Sequence, residues 1–174
     1  VDMRLRPSGN KGPVATRISA FEKYQREEAW TWEHLALSRA RIICGDESLR
    51  ADAESIIHSI INQKRDVAKI AADVFEMRGL IGKEKPPESN WDFKLIPGGL
   101  VDLEFIAQYL SLIAASKDLR VHEIGRSTAD ALAELAPKML DQEASDDCLA
   151  AISLITELSQ LIRLCIDTDF NPKE

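Results

Sequence analysis

The chain opens on residues that could handle a polyphosphate. Val1, Met3 and Leu5 alternate with Asp2, Arg4 and Arg6. In a strand this alternation sets an apolar back against a row of one carboxylate and two guanidiniums. Pro7 cannot continue a central strand, and Ser8, Gly9 and Gly12 belong to a loop that can pass close to a ligand. A carboxylate beside two arginine forks suits a polyphosphate and its metal: Asp2 on Mg²⁺, Arg4 and Arg6 on phosphate oxygens. The same spacing also describes an edge strand with solvated charges.

Further candidates lie on helical segments. From an N-cap at Ser19, residues 20–44 read as one unbroken helix about 37 Å long at 1.5 Å per residue. Its apolar stripe is interrupted by Glu28 and Arg39, and a charge on such a face must be paired or must line a cleft. An interhelical salt bridge and a nucleotide-cleft wall both fit. Asp102 and Glu104 invite a metal reading, but they lie in the first turn of a helix, where acids favour the dipole. Two residues apart, they cannot share a helix face. Lys94 either reaches a phosphate or the domain interface, or is solvated. His34, His58 and His122 have no mutual ligand spacing, and no Walker loop or dinucleotide fingerprint occurs.

The elements that must position these residues are mostly helical. Asp46 caps a helix marked by Ile56, Ile57, Ile60 and Ile61. Asp66 opens another, with apolar residues at gaps of three and four until Gly82. Residues 82–98 form a long connection with Pro86 and Pro87, and Trp91 to Lys94 suggest a short extended piece. Gly98-Gly99 leads into a helix whose wide apolar face includes Leu103, Ile106 and Leu110. Ser127 caps a helix ending before Pro137. The last helix, from about Ser145, turns Cys148, Ile152, Ile155 and Cys165 inward. The expected fold is all-α: a bundle of about six helices with a short strand at its amino end.

Composition agrees, with 45% apolar residues and only 6% aromatic ones. The net charge of −7 argues against a general nucleic-acid binder. Residues 1–26 carry six Lys/Arg against two acids, so only the amino end invites phosphate. Cys44, Cys148 and Cys165 lack CxxC spacing and read as reduced residues of a cytoplasmic protein. No window reads as long and apolar enough to span a membrane, so no membrane partner is expected. A start without Met, inside a strand pattern, reads as a piece of a longer protein.

The segment from Asp2-x-Arg4-Leu5-Arg6-Pro7 to Gly12 resembles the glutamine synthetase adenylyltransferase family of the nucleotidyltransferase superfamily. So do Glu28-Ala29-Trp30-Thr31-Trp32-Glu33-His34 with Arg39 and Arg41, the Met77-Arg78 pair, and Lys94 through Pro97-Gly98-Gly99 to Asp102-Leu103-Glu104-Phe105. The likeness runs in register to about residue 112. It implies that residues 1–18 are the end of a nucleotidyltransferase domain and residues 19–174 a helical domain. It implies that Asp2 is the third metal carboxylate and the catalytic residue. Arg4, Arg6, Ser8, Gly9 and Gly12 would serve ATP. Glu28, Trp32, Glu33, Arg39, Arg41, Lys94, Asp102 and Glu104 would line or support the cleft. The implied reaction moves AMP from ATP to a tyrosine of glutamine synthetase. The implied partners are glutamine synthetase, PII signal protein and glutamine. The Trp-x-Trp-Glu-His wording resembles the carboxy-terminal, adenylylating half. No Gly-Ser turn followed by an Asp-x-Asp pair, as in the family, occurs in these 174 residues, so the chain alone should be inactive. A docking or regulatory module, or part of a PII uridylyltransferase, remains an alternative.

Overall fold

Asp46, Asp66 and Ser127 each accept backbone N–H groups at the start of a helix. The bonds come from Leu49, from Ala68 and Lys69, and from Asp130. These side chains satisfy donors that the first turn leaves open. The computed structural model describes residues 15–165. Among them are seven α-helices and no strand: α1 Ile18–Glu27, α2 Thr31–Leu37, α3 Glu47–Ile61, α4 Val67–Glu84, α5 Leu100–Ile113, α6 Thr128–Met139 and α7 Gln142–Cys165. A 3₁₀ turn, Ala114–Lys117, follows α5. The all-α expectation holds. The expected amino-terminal strand and its loop, with Asp2, Arg4, Arg6, Ser8, Gly9 and Gly12, lie outside the described residues.

α5 is the central element. It packs against α2, α4, α6 and α7, while α1 lies on α3. Leu103, Leu110, Leu112 and Ile113 are buried on it, so its wide apolar face is real. Ile60 and Ile61 of α3 and Leu132 and Leu135 of α6 close the core. Burying side chains of this size contributes roughly 1.5–3 kcal/mol each.

The structure departs from the sequence expectation in six places. The single helix over residues 20–44 is two helices, and residues 38–46 are irregular. Both Glu28 and Ala29 turn their N–H groups onto the Tyr24 carbonyl, which ends α1, and Trp30 in extended conformation starts α2. Tertiary contacts override propensity here: α1 rests on α3, whereas α2 rests on α4 and α5. α4 runs past Gly82 to Glu84, and α6 runs past Pro137 to Met139. The expected extended piece at residues 91–96 is a chain of turns, with Leu95 and Ile96 both donating to the Asp92 carbonyl. The carboxy-terminal half of α7 is only partly covered, and Cys165 is exposed instead of inward. Finally, α7 is long and apolar enough to cross a membrane by length and composition, so the expectation of no such window is corrected. Its Ser145, Ile152 and Ile155 are nevertheless buried within this fold.

Candidate functional site

The break between α1 and α2 shapes the site. Glu33 holds the break closed: one carboxylate oxygen accepts from the Tyr24 hydroxyl at 2.7 Å, the other from the Trp30 N–H at 2.9 Å. His34 adds a second tie. Its Nε2 sits 2.9 Å from the Gln25 carbonyl and its Nδ1 3.2 Å from an Arg65 nitrogen. Arg65 can only donate, so His34 Nδ1 accepts and Nε2–H donates to Gln25. Burial, more than any other cause, pushes the His34 pKa down, and Arg65 adds to that; the Gln25 carbonyl and Glu33 pull the other way. The imidazole is therefore a neutral structural link.

With α1 and α2 tied at an angle, the outer edge of the break faces α4 across an open groove of about 550 Å³. Glu28, Trp30, Thr31 and Trp32 form one wall. Lys69, Asp73, Glu76, Met77 and Leu80 form the other. These α4 positions fall at steps of four, three, one and three, which puts them on one helical face. The Thr31 hydroxyl donates to the Asp73 carboxylate and joins the two walls. Trp30 and Trp32 remain 71% and 47% exposed. Three carboxylates against one ammonium make the groove acidic. Such a surface repels phosphate and attracts cations.

The remaining sequence-predicted residues are placed elsewhere. Arg39 pairs with Glu104 at 3.2 Å, joining the end of α2 to α5. Asp102 pairs with Arg78 of α4, and its second oxygen accepts the Gly98 N–H at 2.7 Å. Arg78 also donates to the Leu95 carbonyl at 3.1 Å. These bonds clamp the turn before α5. Gly98 has a φ of +75°, and a Cβ on Gly99 would meet the Phe93 carbonyl oxygen at 2.6 Å, so this turn requires its glycines. Lys94 is exposed on the same turn, and Arg41 is exposed in the loop after α2. Of the predicted cleft residues, then, only Glu28 and Trp32 share the groove. Trp30, Asp73 and Glu76 were missed as site residues, although the mixed charged and apolar stripe on α4 could have flagged the last two. Among the described residues, no three His, Cys, Asp or Glu side chains come together to hold a metal. Asp102 and Glu104 each pair with an arginine.

The profile for glutamate-ammonia ligase adenylyltransferase matches residues 1–56. The bifunctional glutamine synthetase adenylyltransferase/adenylyl-removing enzyme of Agrobacterium fabrum is 72% identical over all 174 residues. The chain is similar to a segment of that protein. The corresponding protein of Rhizobium meliloti is 65% identical over the whole chain, and that of Mesorhizobium japonicum 51% over 98% of it. The chain spans only about 18% of the length of the first two relatives. The likeness includes the helical body as well as the Asp2–Gly12 segment.

Proposed function

We propose that this chain works within an enzyme that transfers AMP from ATP to a tyrosine of glutamine synthetase in the cytoplasm. The observation that supports it is the 72% identity from end to end with a bifunctional adenylyltransferase/adenylyl-removing enzyme. In this reading residues 1–18 complete a nucleotidyltransferase domain, of the adenylylating half, and the helices from α1 onward form its companion body. The tyrosine oxygen attacks the α-phosphorus as the bond to the β-phosphate oxygen breaks, and pyrophosphate leaves. Asp2 takes up the tyrosine proton. Arg4 and Arg6 hold phosphate oxygens, and Ser8, Gly9 and Gly12 let the backbone approach ATP. Mg²⁺, when bound, neutralises charge on the transferring phosphate. Asp2 is the residue proposed to hold it, with further carboxylates supplied by other parts of the longer protein. PII signal protein and glutamine are proposed as regulators of the whole enzyme.

The test is Asp2→Asn in the full-length parent enzyme, with AMP addition and removal both measured. Loss of general-base help typically lowers a rate by about 10²–10⁴. Addition should fall at least about a hundredfold, with removal largely spared. Unchanged addition rules out a catalytic Asp2. Loss of removal alone places the segment in the other half. The isolated chain, given labelled ATP and glutamine synthetase, should incorporate no AMP.

A further inference from the structure

The groove between α2 and α4 is not explained by nucleotide chemistry. Its carboxylates oppose phosphate, and its tryptophans are large apolar groups left in water. Among the described residues, Glu28 and Glu76 form no ion pair, and Asp73 is bound only by the Thr31 hydroxyl. Around these acids lie Trp30, Trp32, Met77 and Leu80. Aromatic faces beside carboxylates favour a guanidinium, which stacks on indole while its edge donates to the acid. From Lys69 to Leu80 the α4 wall is about 16 Å long at 1.5 Å per residue. That length accommodates about five residues of extended chain at about 3.3 Å each.

We propose that this groove docks a basic segment of a partner protein, about five extended residues in which arginines alternate with aliphatic side chains. The guanidiniums stack on Trp30 and Trp32 and pair with Glu28 and Glu76. The aliphatic side chains lie on Met77 and Leu80. Lys69 closes one end and orients the segment by repelling its positive charges. Docking is independent of AMP transfer and needs no ATP.

The probe is the peptide acetyl-Leu-Arg-Leu-Arg-Leu-amide, titrated into the full 174-residue chain carrying Trp91→Phe. Tryptophan emission then reports only Trp30 and Trp32. The expected result is a saturable shift that weakens at least tenfold in Glu28→Gln/Glu76→Gln and weakens steadily with salt. The peptide with Glu in place of Arg should not bind, and the Lys version should bind several-fold more weakly. Melting curves confirm folding, and the Gln variants keep the test open should Trp30→Ala/Trp32→Ala fail to fold. No saturable shift, or equal binding of the Arg and Glu peptides, overturns the proposal. Tighter peptide binding in Arg4→Glu/Arg6→Glu would also overturn it, because the chain's own amino-terminal segment would then be the occupant. A dimer that Trp30→Ala/Trp32→Ala dissolves would assign the groove to a second copy instead. Because every arm omits ATP and glutamine synthetase, failure here leaves the AMP-transfer reading to its own assay.

Discussion

Two sets of carboxylates flank α4, and they are treated oppositely. At the amino end of α5, Asp102 meets Arg78 and the Gly98 N–H, and Glu104 meets Arg39. In the groove, Glu28 and Glu76 form no ion pair with a described residue. Arg78 and Glu76 are two residues apart, so they leave α4 on different faces. One face uses charge to fasten the turn before α5 onto the bundle. The other leaves charge in water, where its exchange for a partner's charge costs the fold little. Paired and partly buried acids belong to architecture; under the docking proposal, the unpaired acids beside exposed indoles belong to binding.

The strongest way to break this contrast is Gly99→Ala. The new Cβ would press on the carbonyl oxygens of Phe93 and Ile96, at 2.6 and 2.8 Å, and neither backbone atom can give. Urea unfolding should show a loss of about 2 kcal/mol or more. Gly79→Ala, with nothing within 4 Å of the new methyl, should instead gain up to about 1 kcal/mol, because glycine is a poor helix former. A loss at Gly79 equal to that at Gly99 would mean α4 is as constrained as the turn.

Asp102→Asn should come next, at about 1–3 kcal/mol, since it leaves Arg78 without its carboxylate in a mostly covered place. Glu104→Gln removes a more exposed pair and should lower stability by less than about 1 kcal/mol. Glu28→Gln and Glu76→Gln should change stability by about half a kcal/mol or less. A large loss from either groove variant would show that these acids are architectural after all.

The junction beside the groove makes a pH prediction. The His34 pKa is held below its ordinary value of 6.5, chiefly by burial. The folded state therefore binds fewer protons at this site than the unfolded chain. Its contribution is complete above about pH 6.5 and declines as the pH falls below that value. Denaturation midpoints should drop between pH 7 and 5.5, and the slope should be shallower in His34→Gln. An identical slope in the variant would mean that His34 is not the titrating link.

Much of the fold was legible because its signals are local. Asp46, Asp66 and Ser127 were readable as caps, since each bonds N–H groups two or three residues away. The stripe of α5 was readable because a wide apolar face has one place to go. The α1–α2 break was not read, although its mark was present. Glu28 and Arg39, the two interruptions of the apolar stripe, fall just past the ends of α1 and α2. Periodicity counted them as intrusions on one helix when they were the boundaries of two.

The sequence by itself determined the helical class, most of the caps, the glycine turn before α5 and the likeness to the adenylyltransferase relatives. Each depends on residue types at short spacing. Only the tertiary structure decided which charges are spent. Asp102 and Glu104 look alike in sequence beside Glu28 and Glu76, and what separates them is the arrival of Arg78 and Arg39 from 24 and 65 residues away in the chain. Tertiary structure likewise decided the groove, because its walls come from two helices that meet only after the chain breaks at Trp30. Pairing and concavity are relations between distant segments, and no local pattern carries them.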